Sequence, residues 1–240
     1  MLLLDVGNSR SKWALLENGA WAQQGVADNK DRPALRVALS ALPPQQRVLA
    51  SNVAGESMAQ LLRELGEMWS CPVQMVKAQA QQCGVRNLYE QPAQLGSDRW
   101  LALIAAWRRV GGACLVVNCG TATTVDALSA TGDFMGGLIL PGMDLMQRSL
   151  VSNAAQLGAD AGKLCEFPRN TADAIYSGVM RATIGAVQQQ YALLAARQAV
   201  SCIISGGAAA ALHPHLEMPC EQVDNLVLQG LYITAQEIRA

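Results

Sequence analysis

The 240-residue sequence is short of charge: 15% of its residues are Asp, Glu, Lys or Arg, and the formal net charge is -1. That balance removes any electrostatic case for a nucleic-acid or anionic-membrane partner, so an anion bound here must be held by local geometry. No apolar run approaches the roughly 18 residues needed to cross a bilayer, and Met1 leads into a strand pattern without a basic leader. The expectation is a soluble, cytoplasmic protein. Cys71, Cys83, Cys114, Cys119, Cys165, Cys202 and Cys220 include no C-x-x-C pair. That argues against a disulfide framework and a zinc site, and reads as small core residues in a reducing compartment. No low-complexity linker divides the chain. Neither G-x-x-x-x-G-K-[ST] nor a well-formed G-x-G-x-x-G occurs, so P-loop and dinucleotide-type nucleotide binding lose support.

What is present is apolar material, 51% of the residues, and one device written twice. "LLLDVGNSRSKWALLENG" near the N-terminus and "LVVNCGTATTVDAL" from Leu115 each run a buried strand into a small polar turn and out into a second apolar run. With Asp5 laid over Asn118, Gly7 meets Gly120, Asn8 meets Thr121 and Gly19 meets Gly132. A chain of this length suits one large domain or two small ones, and the repeat favours two, 1–113 and 114–240.

The first hairpin is expected from Met1–Val6 and Lys12–Glu17, with Gly7 to Ser11 as the turn. "RVLASNV" (47–53) and "PVQMV" (72–76) read as strands, and "ESMAQLLRELGEMW" carries Met58, Leu61, Leu62 and Leu65 at helical spacing. From Gln79 to Leu95 the pattern dissolves into a long loop of the kind that often binds ligands. "SDRWLALIAAWRRVGG" reads as a helix starting at Ser97 or Asp98 and stopping at Gly111-Gly112. Thr171 begins a helical region to about Ala196, with Gly178 and Gly185 weakening it as one straight helix. "AVSCIISGGAAAAL" is strand, Gly-Gly turn and small-residue helix, and "DNLVLQGLYITAQEIRA" closes the chain as a helix.

Glycine after a buried strand lets backbone N–H groups approach a ligand, and Ser, Thr or Asn adds short donors, so two such turns suit a polyphosphate. Asp5 at a strand end suits a hydrated Mg²⁺. Lys12 is either a cation for phosphate or a solvated edge residue. One such turn alone is more simply a tight hairpin; two in register weaken that explanation. The Gly206-Gly207 turn admits a flat ring against backbone, although helix–strand packing also asks for Gly there. His213 and His215 flank Pro214 without acidic or cysteine partners at metal spacing and read as loop. The roles of Asp126 and Asp144 are open, Asp126 falling opposite Trp13 in the repeat. The small residues Gly178, Ala182 and Gly185 sit at close-packing spacing, either as internal core or as a subunit interface.

This combination resembles the acetate and sugar kinase, heat-shock 70 and actin superfamily. Within it "DVGNSRSK", "YEQPAQLGSDRW", "NCGTATTVD" and "FPRNTADAIYSG" together resemble the type III pantothenate kinases. The resemblance implies an α/β fold of two ribonuclease-H-like domains, with the active site in the cleft between them. It implies a homodimer that uses ATP and Mg²⁺ to phosphorylate pantothenate at the start of coenzyme A synthesis. By position it assigns ATP phosphates and Mg²⁺ to Asp5, Val6, Gly7, Asn8, Ser9, Arg10, Ser11 and Lys12. Asp5 would hold the metal through water, with further phosphate contacts at Thr121 and adenosine at Gly206 and Gly207. Pantothenate falls to Tyr89, Gly96, Ser97, Asp98, Arg99 and Thr171, with Asp98 as proton acceptor. Asp98 and Arg99 alone would also fit an ordinary helix N-terminus, where an acid is favoured but an Arg is not. The resemblance implies that relatives commonly carry Asp where this chain has Asn118, as ligand to a monovalent cation such as K⁺ or NH₄⁺; the neutral amide makes that cation weakly held or absent here. Rival readings are a kinase of another small hydroxylated substrate and a catalytically silent ATP-binding regulatory protein.

Overall fold

The computed structural model describes residues 1–153 and 161–237. In chain order its elements are β1 (Leu2–Val6), β2 (Arg10–Glu17), β3 (Ala20–Asp28), α1 (Arg32–Ser40), β4 (Val48–Asn52), α2 (Glu56–Met68), β5 (Val73–Met75), β6 (Gln81–Gln82), β7 (Val85–Asn87) and α3 (Ser97–Val110). There follow β8 (Cys114–Cys119), β9 (Ala122–Leu128), β10 (Asp133–Pro141), α4 (Met143–Asn153), α5 (Thr171–Ala195), β11 (Ser201–Ser205), α6 (Ala209–Leu212), β12 (Glu221–Gln222) and α7 (Leu226–Glu237). They form two compact units, Met1–Arg109 with Asn225–Ala240, and Val110–Asp224.

The first unit holds a sheet in the order β3-β2-β1-β4-β5, antiparallel across β1–β2–β3 and parallel across β1–β4–β5. Leu2, Leu3 and Leu4 are all buried, as expected for a central strand covered on both faces. Leu2, Leu4 and Val6 meet Leu35 and Leu39 of α1 and Met58, Leu61, Leu62 and Leu65 of α2. Burying each such side chain contributes about 1.5–3 kcal/mol. Helix α7 returns to this unit: Arg47 donates to the Ala235 carbonyl at 2.8 Å, and Gly230 lies against the backbone of Leu101 in α3.

The second unit repeats the plan. Its strands follow the order β12-β11-β8-β9-β10, again three antiparallel strands joined to two parallel ones. Leu115, Val117 and Cys119 of β8 pack with Val179, Met180, Val187 and Leu194 of α5. Asn170 caps α5, its side chain accepting from the Asp173 N–H at 2.8 Å.

Four features depart from the sequence reading. The chain passes between units after Arg109, and its last segment rejoins the first unit, whereas 114–240 was expected to be one domain. The stretch 79–95 contains the β6–β7 ladder and a 3₁₀ turn at Pro92–Gln94 rather than loop alone. The glycine-rich stretch after Gly132 is strand β10, bulged between Phe134 and Gly136, and α5 is one continuous helix of 25 residues. The two hairpins also differ in turn length: Val6 pairs with Ser11, but Cys119 with Thr123, one residue fewer. Asp126, opposite Val116, therefore corresponds to Ala14 rather than Trp13.

Candidate active site

In the first unit the site begins where β1 runs out of apolar residues. Val6 is buried in the core, and its carbonyl accepts from Val53 N–H at 3.0 Å. Gly7 N–H donates to the Arg10 carbonyl at 3.1 Å, which closes the turn and leaves Asn8, Ser9 and Arg10 exposed. Asn29, just past β3, staples this turn. Its Nδ2 donates to the Gly7 carbonyl at 2.5 Å, its Oδ1 accepts from the buried Ser11 hydroxyl at 2.6 Å, and its N–H reaches the Ser9 carbonyl at 2.9 Å. Lys12 lies on β2, interior to the sheet, which rules out an edge position; its ammonium donates to Asn225 Oδ1 at 3.2 Å. Asn225 in turn donates to Gln24 Oε1 at 3.0 Å.

The start of α3 brings a second group of residues to the same unit. Gly96 accepts the first helical hydrogen bond, from Trp100 N–H at 3.0 Å. A Cβ on Gly96 would stand 2.6 Å from Asp98 Oδ1, so only glycine lets the Asp98 side chain fold back over the helix start. Asp98 Oδ1 accepts its neighbour's N–H, from Arg99, at 2.8 Å; no hydrogen bond to Oδ2 occurs among the described residues. Ser97 and Ser51 share a hydroxyl–hydroxyl contact of 2.8 Å, and Ser51 is the β4 residue directly beside Asp5. Arg99 is buried at 6% exposure, donates to the Tyr89 hydroxyl at 3.0 Å and stacks 5.7 Å from the centre of that ring. Tyr89 is itself held by Asn87, whose Oδ1 accepts the Tyr89 N–H at 3.1 Å.

Charge ties the two groups together. Burial pushes the Asp5 carboxyl up to about 7, the negative charge of Asp98 adds to the rise, and Lys12 opposes it. The Asp5 backbone is paired in the sheet, but no hydrogen bond to its carboxylate occurs among the described residues. A largely buried carboxylate without donors, facing a second carboxylate, is unfavourable unless a cation joins it. The donor set fits Mg²⁺, which takes one or two carboxylates and fills its remaining positions with water or phosphate oxygens. No cluster of three or more His, Cys, Asp or Glu residues occurs among the described residues, so a cage built wholly of protein ligands does not arise.

In the second unit, Gly120 N–H donates to the Ala122 carbonyl at 3.0 Å, leaving Thr121 exposed at the tip. The Thr121 carbonyl accepts from Gly142 N–H at 2.8 Å, at the entrance to α4. Gly206, at φ +103°, presses on the backbone of Cys119, and Ala208 N–H donates to the Cys119 carbonyl at 3.1 Å. A side chain at Gly206 would strike that backbone, so the Gly-Gly turn is seated on the end of β8. Asn118 lies between Thr124 of β9 and Ser205 of β11, as Asp5 lies between Lys12 and Ser51. Thr171 opens α5 with an exposed side chain. His213 lies in a 3₁₀ turn, its Nε2 2.7 Å from the Cys220 carbonyl, consistent with a loop role.

Comparison with known sequences decides the family. The type III pantothenate kinase profile matches residues 1–193. A type III pantothenate kinase of Nitrosospira multiformis is 49% identical over 239 residues, 99% of this chain and 91% of that protein. The chain belongs to the type III pantothenate kinase family. A solved Campylobacter jejuni structure, provisionally described as a Baf family transcriptional activator, matches with TM-score 0.65 at 21% identity over 100% of both chains. A Sinorhizobium meliloti structure, provisionally described as a 2-dehydro-3-deoxygalactonokinase, matches with TM-score 0.60 at 16% identity, covering 99% of this chain and 98% of that one. Likenesses at these identities establish the fold alone, which is of the sugar kinase, actin and heat-shock 70 type.

The sequence motifs Asp5–Lys12 and Gly96–Arg99 do not include every residue that shapes these two groups. Asn29, Ser51, Asn225 and Gly142 escaped the sequence reading because each acts through partners distant along the chain. Only Gly142, in "LPGMDL", left a local signal, a glycine just before a helix.

Proposed function

We propose that this protein transfers the γ-phosphoryl group of ATP to the primary alcohol of pantothenate, giving 4′-phosphopantothenate for coenzyme A synthesis. The observation that carries the proposal is the juxtaposition of Asp5 and Asp98, close enough for the charge of one to raise the pKa of the other, on the unit where buried Arg99 donates to the hydroxyl of half-buried Tyr89. Asp5 would hold hydrated Mg²⁺, which draws charge from the phosphate oxygens when bound. The turn Gly7–Ser11, the Lys12 ammonium and Thr121 would receive the phosphates, and Gly206-Gly207 the adenosine.

Asp98 has the qualities of a proton acceptor. One oxygen is fixed by the Arg99 N–H, and the other is available to orient a hydroxyl and take its proton as the oxygen attacks phosphorus. Arg99 and the Tyr89 hydroxyl offer the cation and donor that a substrate carboxylate needs. Gly96, Ser97 and Thr171 complete the pantothenate assignment. In phosphoryl transfer the protein contributes chiefly position and charge. Asp98→Asn keeps the shape and removes the base, so turnover should fall by about 10² to 10⁴ while ATP affinity changes little. Turnover comparable to wild type would remove Asp98 from the mechanism.

The family resemblance also supports a homodimer. Gly178, Ala182 and Gly185 lie on the exposed side of α5, and a Cβ at either glycine would meet nothing within 4 Å, so the small residues do not serve the unit's own core. A second copy of the chain is the occupant that this stripe suits.

A further inference from the structure

Three of the seven cysteines, Cys83, Cys165 and Cys220, are not core residues, and one of them has a thiol neighbour. Strands β11 and β12 run parallel with Ile203 opposite Glu221 and Ile204 opposite Gln222. One step back along that register, Cys202 lies opposite Cys220, and their sulfurs are 3.0 Å apart in a thiol–thiol hydrogen bond. Adjacent strands lie about 4.8 Å apart, inside the Cα separation that a disulfide spans. Closing the sulfurs from 3.0 Å to a bond of about 2.05 Å therefore asks for a shift near 1 Å and no movement of the strands.

We infer that Cys202 and Cys220 are a redox-reactive pair that forms a reversible disulfide by exchange with a low-molecular-weight disulfide. Their exposure divides the work: Cys220 is half-buried and reachable, whereas Cys202 is 3% exposed. The Cys202 hydrogen bond holds the Cys220 thiol below its ordinary value, while that same contact and burial push Cys202 up. Cys220 is thus the attacking sulfur. Its thiolate attacks one sulfur of the small disulfide, forming a mixed disulfide and expelling one thiolate. Cys202 then gives up its proton and attacks the Cys220 sulfur, expelling the second thiolate. Two protein thiols are oxidised, one small disulfide is reduced to two thiols, and the two protein protons end on them.

Three further sulfurs do not compete. Burial pushes Cys114 and Cys119 up to about 12, and burial with Glu237 does the same to Cys83. The bond would clamp the edge strand β12 to β11 and close a loop that contains Gly206-Gly207. In a reducing compartment it would be transient, as a sensing disulfide is.

The test uses the reduced full-length protein, incubated natively with glutathione disulfide, quenched in acid, titrated for thiols in denaturant and mapped by mass. The expected result is a fall from seven thiols to five, a linked Cys202–Cys220 peptide pair, and full reversal by dithiothreitol. Cys202→Ser should stop at one stable glutathione on Cys220, and Cys220→Ser should form no disulfide at Cys202. Seven persisting thiols, bonds confined to other cysteines, or no glutathione at Cys220 in a folded Cys202→Ser variant would each overturn the inference. If a variant fails to fold, the wild-type map alone decides.

Discussion

Replacing Asp5 by Asn should stabilise the nucleotide-free protein at alkaline pH while destroying its use of Mg·ATP. The folded carboxyl titrates near 7 against an ordinary 3.8, so between those values the native state binds more protons than the unfolded chain. Stability contributed by protonated Asp5 is therefore present below about pH 4 and lost as pH rises to about 7. The difference between those two values corresponds to roughly 4 kcal/mol at pH 8 and to less than about 1 kcal/mol at pH 4. Asn has the same shape and no charge, so the difference in stability between variant and wild type isolates this group. In melting temperature the alkaline gain should be on the order of 10 °C. The assay is thermal melting of both proteins from pH 4 to 8.5, without nucleotide and in EDTA, and then with Mg²⁺, which should narrow the gap by stabilising only the wild type. A variant no more stable than wild type at pH 8, or a gap that does not change with pH, would refute the reading of Asp5 as a carboxyl raised by burial and by the charge of Asp98.

Activity should change little when potassium replaces sodium at constant ionic strength, because the neutral amide of Asn118 is a weak holder of a hard cation, and Asn118→Asp should create a potassium response. Strong potassium activation of the native enzyme would contradict the first half; a folded but unresponsive Asp variant would contradict the second. Light scattering at micromolar concentration should give twice the 25.5 kDa chain mass, and Ala182→Glu on the exposed stripe of α5 should shift it toward one chain. A native monomer would leave that stripe without its occupant.

Much of the framework was visible because it is written in local patterns. The duplicated hairpin, the Gly96–Arg99 helix start and the Gly206-Gly207 turn are contiguous segments, and each appears where its residues placed it. Strand β10 was obscured because Gly136 and Gly137 break the alternation that marks a half-buried strand. Membership of α7 in the first unit depends on Arg47 and on Gly230 meeting Leu101, partners far away in the chain that no periodicity encodes. Asn29 shows the same limit at the site: nothing in "ADNKD" marks a side chain that will hold the Gly7 carbonyl. The displaced match of Asp126 came from aligning the repeat without gaps, when one turn is a residue shorter than the other.

The central claim, phosphoryl transfer to pantothenate, is tested most directly by ADP release from the purified protein with Mg·ATP, with pantothenate, glucose and acetate each supplied alone. The account predicts sustained ADP formation with pantothenate alone, a phosphate on its primary alcohol in the isolated product, and background rates with the other two. ADP formation driven by glucose or acetate, or none with any of the three, would contradict it.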